Sequence, residues 1–234
     1  MAASTTSRAL PPWHDVLVVV AHPDDESFGL GAIIDAFVRA GARVRVLCFT
    51  RGEASTLGGD LPDLAAVRER ELREAGAELG IDDATLLAWP DGGLGEIPVA
   101  DLGAVVLDHV AARHTDGLLA FDPSGVTGHP DHVAATHAAQ HGAVAAGLPL
   151  LGWTLPAEVV ATLNAEYGSA LIGHEPAEID VELAVDRTTQ RRAVLAHATQ
   201  AVPSSILWRR LELLGHREVL RWIVPAESGA ATPD

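Results

Sequence analysis

The chain has 234 residues and is 48% hydrophobic, which suits one large domain with a buried core. Sixteen Lys and Arg against 32 Asp and Glu leave a formal charge of −16, a surface that repels phosphate backbones and argues against nucleic-acid binding. The single cysteine, Cys48, excludes an internal disulfide and a cysteine-based metal cluster, so any metal must be held by histidines and carboxylates.

Residues 1–12 read as a flexible arm, small and polar up to Leu10, without the basic start and apolar stretch of a signal peptide. The continuous apolar run Asp15 to Ala21 predicts a strand buried on both faces, and Ser27 to Ala40 a helix stopped by Gly41. Arg43 to Thr50 predicts a second strand, with Cys48 buried inside it. A loop from Arg51 to Pro62 leads into a charged helix from Asp63 to about Leu79. Ala84 to Trp89 is the third expected strand, residues 98 to 114 a helix, Gly117 to Asp122 the fourth strand, His132 to Ala146 an Ala-rich helix, and Leu148 to Trp153 a short fifth strand. Beyond Trp153 the expected elements are a helix (Pro156 to Tyr167), a strand (Ile179 to Asp186), a helix (Arg187 to Gln200) and an amphipathic tail (Ser204 to Val224) packed on its own domain.

This alternation predicts an α/β fold, a doubly wound and mostly parallel sheet with helices on both faces. Residues 13–153 would form the core, 154–225 a smaller α+β portion completing the same domain, and 226–234 a flexible tail. No apolar run approaches the roughly 20 residues of a membrane span, so a cytoplasmic protein is expected; a homo-oligomer is compatible with the amphipathic tail. Doubly wound sheets build sites beyond the carboxyl ends of their strands, which here directs attention to the residues after 21, 50, 89 and 122.

Directly after the first strand stands Ala21-His22-Pro23-Asp24-Asp25-Glu26. Adjacent carboxylates in a turn are costly unless a cation sits between them, and a divalent metal meets that need. The three acids also suit an ordinary acidic helix start. After the fourth strand a Gly-rich loop leads to Gly128-His129-Pro130-Asp131-His132, with two histidines three apart at a helix start. If the two strand ends are neighbours, His22, Asp25 and His132 make three ligands and leave a coordination position open, the pattern of a catalytic rather than a structural zinc.

The pair AHPDDE and GHPDH resembles the signature of the PIG-L (LmbE-like) zinc-dependent N-deacetylases, over most of the chain from Val16 to the His197–Gln200 stretch. The resemblance implies a Rossmann-like sheet and hydrolysis of an N-acyl amide, acetyl in that family, on an amino-sugar-like small molecule by metal-activated water. It matches His22, Asp25 and His132 to the zinc ligands, Asp24 to the general base and His129 to the residue that steadies the oxyanion. Ferrous iron also suits this donor set. Asp131 is expected either to orient a histidine or to cap its helix. Arg51 and Asp91, on the loops after the second and third strands, are the expected substrate contacts. Thr127 stands where some family members carry a tyrosine. An amidase acting on a non-sugar or thiol-conjugate amide, or a metal-containing binding protein without turnover, is the alternative reading.

Overall fold

The computed structural model describes residues 6–57, 59 and 61–226. The start of the expected arm (1–5), two positions of the 51–62 loop (58 and 60) and all but the first residue of the expected tail (227–234) lie outside the described residues. The elements run β1 (Asp15–Val20), α1 (Asp25–Phe28), α2 (Gly31–Arg39), β2 (Arg43–Thr50), α3 (Leu64–Leu79), β3 (Asp83–Trp89), α4 (Val99–Ala112), β4 (Gly117–Phe121), α5 (Pro130–Ala146), β5 (Leu150–Thr154), α6 (Ala157–Tyr167), β6 (Val181–Ala184), α7 (Thr188–Ala196), α8 (Ile206–Leu214) and β7 (Arg217–Val224).

The seven strands form one sheet in the order β3-β2-β1-β4-β5-β7-β6. β1 to β5 are mutually parallel, and β7 runs antiparallel to both β5 and β6. Each buried strand alternates between two apolar layers, as a period of two requires. Val16, Val18, Val20, Val46 and Cys48 face Ile33, Phe37, Leu72 and Leu79 of α2 and α3. Leu17, Val19, Leu47 and Phe49 face Leu102, Val106, Ala138 and Ala139 of α4 and α5. The reversal of strand order falls between β1 and β4, which are neighbours although separated in the chain by β2, β3 and their helices. That reversal puts the loop beginning at His22 beside the loop beginning at Asp122.

Three expectations are revised. The helix expected over Ser27–Ala40 is broken in two: Gly29 lies so close to Phe121 that a Cβ there would come within 2.6 Å of the ring, and the helix restarts after Leu30. The expected amphipathic tail is a helix followed by a strand, α8 and β7. β7 is covered on both faces, so Glu218, Val219 and Leu220 are buried in succession and the stretch lacks strand alternation. The described part of the expected arm is tied down. Ser7 N donates to Asp180 O at 2.8 Å and Ser7 O accepts from Glu182 N at 2.9 Å, with Arg8 paired to Glu182, so residues 6–8 cover the edge of β6. Among the described residues no helix is long and apolar enough to cross a membrane.

Candidate metal centre and substrate cavity

The turn after β1 is held by Asp25, whose Oδ2 accepts from the backbone N–H groups of Ala21 (3.1 Å) and His22 (2.9 Å). Its Oδ1 is thereby aimed across the strand reversal at Nε2 of His132, 3.1 Å away. His22 Nδ1 lies 3.2 Å from the same Nε2 and 3.6 Å from Asp25 Oδ2. One donor atom from each of His22, Asp25 and His132 falls within 4.8 Å of the other two. A tetrahedral ion with bonds of about 2.0–2.1 Å spaces its ligands about 3.3 Å apart.

The hydrogen bonds behind the two rings fix what faces this point. Nδ1 of His132 lies 3.3 Å from the Gly125 carbonyl, which only accepts, and 2.9 Å from Thr127 Oγ1. The proton of a neutral His132 therefore sits on Nδ1 and Nε2 presents a lone pair. Nε2 of His22 lies 3.1 Å from Asp91 and 3.3 Å from Asp131, so a neutral His22 keeps its proton there and turns Nδ1 to the same point. With both rings neutral, two lone pairs and a carboxylate face one point, and these donors fit a divalent metal in place of the second proton that His22 otherwise holds. Burial pulls the His22 pKa down, but Asp131, Asp25 and Asp91 outweigh it and push it up to about 12. The field that retains a proton so strongly is one that also attracts a metal ion.

Asp24 stands beside this group with φ at 150°, a backbone setting an L-residue adopts only under strain, of about 1–3 kcal/mol. Two neighbours hold it, Glu26 and Arg68. Its N–H donates to Glu26 Oε2 (3.0 Å), its carboxylate lies 3.0 Å from Arg68 Nη2, and the same Nη2 donates to Pro23 O (2.7 Å). Arg68 also donates to Gly52 O (2.7 Å), and Gly52 is glycine by necessity: at φ +65° a Cβ would come within 1.9 Å of that guanidinium. Burial, opposed by Arg68 and helped by Asp25, raises the Asp24 pKa to about 6.

Asp131 is fully buried and takes the histidine-facing one of its two expected places; the N-cap of α5 is His129 instead. Asp131 accepts from Gly92 N (2.7 Å) and Leu94 N (3.0 Å), tying the loop after β3 to α5, and it faces His22. Asp91, expected at the substrate, lines the cavity but has both oxygens engaged, one by His22 and the other by Ala54 N (2.7 Å). Thr127 lines the cavity and touches His132. His129 is exposed at the mouth, its ring centre 5.0 Å from that of His22, and its Nδ1 accepts from Asp131 N, leaving a proton on Nε2. Burial, with His22 and His132, lowers its pKa, so this donor is neutral. Arg51 does not line the cavity; it turns to Glu69 at 3.9 Å, and the arginine at the site after β2 is Arg68. Trp153 is buried rather than offering a face to a sugar, and its Nε1 donates to Glu218 at 2.8 Å.

The cavity has a volume of about 400 Å³ and is lined by His22, His132 and Asp24, with Phe28, Leu57, Ile206, Leu207 and Arg210 also bordering it. Arg68, Glu26 and His197 brace the candidate site, and none of them gains a role there from the sequence alone. Arg68 and Glu71 occupy the apolar stripe of α3 with Leu64, Leu72, Ala75 and Leu79, so the signal was a charge at a core position. Glu71 accepts from Thr199 N (2.8 Å) and Oγ1 (2.7 Å), fastening the segment that carries His197.

His197 is fully buried with Nε2 2.7 Å from Glu26 Oε1. Burial opposes charge on it, but Glu26, with Asp24 and Glu71 nearby, outweighs burial and raises its pKa. A raised folded-state value means the pair stabilises fully below the unfolded value of about 6.5 and loses that contribution as pH climbs through the folded value. His197→Gln is therefore expected to cost more stability at about pH 6 than at about pH 9, read from denaturant midpoints. A cost that is equal or larger at the higher pH would contradict the charged pair.

The sequence model of the family described as GlcNAc-PI de-N-acetylase, PIG-L, matches residues 17–143. The 1D-myo-inositol 2-acetamido-2-deoxy-alpha-D-glucopyranoside deacetylase of Mycolicibacterium vanbaalenii is 30% identical, over 79% of this chain and 80% of that one. A probable N-acetyl-alpha-D-glucosaminyl L-malate deacetylase 2 of Bacillus anthracis is 29% identical, over 89% of this chain and 91% of its own. Among solved structures, N,N'-diacetylchitobiose deacetylase from Pyrococcus horikoshii shares the fold with a TM-score of 0.63 and 22% identity, covering 94% of this chain and 87% of that one.

Proposed function

The chain belongs to the PIG-L (GlcNAc-PI de-N-acetylase) family of metal-dependent deacetylases, and from that premise we propose that it hydrolyses the N-acetyl amide of a small N-acetylglucosamine-containing molecule, with zinc held by His22, Asp25 and His132. The observation that carries the ligand set is the convergence of His22 Nδ1, His132 Nε2 and the Asp25 carboxylate, whose Oδ1 lies 3.1 Å from His132 and Oδ2 3.6 Å from His22, with the two nitrogens 3.2 Å apart. The substrate class rests on the 2-acetamido-2-deoxyglucose unit shared by the named substrates of the two relatives. Zinc is preferred because two imidazoles and one carboxylate are its usual donors in catalytic sites, with ferrous iron second.

When bound, such an ion acts as a Lewis acid toward an amide carbonyl and acidifies water. The protein's own residues do the rest. Asp24, with a pKa raised to about 6, accepts a proton from the attacking water and returns it to the departing amine. Arg68 and the strained backbone keep that carboxylate pointed at the reaction rather than at Asp25. His129 donates its Nε2 proton in a hydrogen bond to the oxygen on which negative charge grows. Asp131 and Asp91 hold the His22 ring by Nε2, and Thr127 with Gly125 holds His132 by Nδ1.

Acetate release from a panel of N-acetylglucosaminides, measured before chelation, after it and after reloading with zinc or ferrous iron, tests this reading. The expected result is release from at least one glycoside, falling at least ~100-fold on chelation and returning with the metal. Release at blank level across the panel with the metal-loaded protein overturns it.

A further inference from the structure

Arg210 of α8 lines the cavity wall, and its electrostatic surroundings are incomplete. Its Nη2 donates to the Phe28 carbonyl at 2.6 Å, its Nε is shut off from solvent with no partner, and its guanidinium carbon lies 5.0 Å from the centre of the Trp153 ring. Among the described residues no carboxylate lies within 4.0 Å of it. The contrast with its neighbour is direct: Arg209 is gripped by both oxygens of Glu166 and by Glu212. Glu218, the acid under Trp153, is already taken by the Trp153 indole and by Arg187. A chain with 32 Asp and Glu does not leave an arginine without a counterion for want of acids.

A cation drawn into a wall without its counterion costs stability unless something else supplies the charge. Burial pulls the Arg210 pKa down to about 10; the charges that support it, Glu218 first and then Asp25, do so without touching it, and Arg187 opposes them. The position fits a ligand that spans the cavity. From His132 to Phe121, from Phe121 to Trp153 and from Trp153 to the Arg210 carbon are three successive steps of 5.0 Å each. Arg210 thus lines the same cavity as His132, with its guanidinium carbon at most three such steps from the His132 ring.

We propose that Arg210 is a specificity-determining residue that binds a carboxylate or phosphate group carried by the substrate on the side away from the acetamide. The donors left for either anion are Nη1 and the second N–H of Nη2, whose first is held by the Phe28 carbonyl. This rests on the deacetylase reading and narrows it: the preferred substrate is an anionic glycoside rather than a neutral one.

The test compares three N-acetylglucosaminides with a neutral methyl aglycone, a carboxylate-bearing aglycone and a phosphate-bearing aglycone. The wild type is expected to favour one of the two anionic substrates by about 30-fold in kcat/KM, mostly through KM; which one wins identifies the anion. Arg210→Gln should reduce that ratio to near one. Arg210→Glu should turn the preference toward an aminoethyl glycoside, which a merely structural arginine would not do, since misfolding lowers all substrates together. Calorimetric binding of the corresponding glucosamine products to the wild type decides the matter even if a variant fails to fold. Equal turnover of neutral and anionic glycosides, or equal binding of their products, overturns the role of Arg210 and leaves deacetylation intact. Tighter binding of an anionic product with no acetate released from any substrate supports Arg210 and removes the reading beneath it.

Discussion

Asp24→Asn protein is expected to retain a single metal ion per chain while losing on the order of 10³-fold in kcat. The substitution keeps the size of the side chain and its contact with Arg68, and it leaves His22, Asp25 and His132 in place. It removes the only thing the reaction takes from this position, a carboxylate basic enough to accept a proton near neutrality and acidic enough to give it back. The outcome is read from metal analysis by mass spectrometry beside steady-state acetate release. A variant that keeps more than about a tenth of wild-type kcat would move the base elsewhere, and one that loses its metal would mean Asp24 is a ligand.

His132→Ala is the second large effect, and it acts at the other end of the argument. The variant retains a histidine and an aspartate on the β1 turn but loses the donor that reaches across the strand reversal. Two ligands on one turn do not hold zinc against a chelator, so metal content is expected to fall below about a tenth of an ion per chain and acetate release to the blank. Thr127 and Gly125 lose their partner at the same time, so the 122–129 loop should loosen, which proteolysis of that loop would register. Full metal retention would show that the ligands are a different set, of which His22, His129 and Asp131 is the nearest alternative by geometry. That set is disfavoured because both Asp131 oxygens already accept backbone N–H groups.

The strands from β1 to β5 were legible because each is a short apolar run ended by a turn, and β2 begins and ends as its sequence suggests. The meeting of the two histidine motifs was legible because a doubly wound sheet leaves few places for strand ends to adjoin. What escaped depends on partners distant in the chain. β7 lacks alternation because it is buried on both faces, so its sequence looks like one more amphipathic helix. Asp91 was a plausible sugar contact until the fold brought it 3.1 Å from His22, and Arg51 until it turned to Glu69. Arg68 is one of several charges on a helix that otherwise looks solvated, and only its place on the apolar stripe distinguishes it. Arg210 could not be recognised from spacing at all, since its meaning lies in what is missing around it.

The position of β7 carries a consequence for how the molecule comes to be. It enters the sheet between β5 and β6, yet among the described strands it is the last to leave the ribosome. Until it arrives, β5 is an open edge, β6 has no neighbour on its inner side, and the indole of Trp153 and the guanidinium of Arg187 wait for the carboxylate of Glu218. The half of the protein that contains both histidine motifs can thus be assembled early during translation, while the side of the cavity lined by α8 follows later. Any nascent chain that stalls before Arg217 would display an unpaired ribbon, a natural target for chaperones.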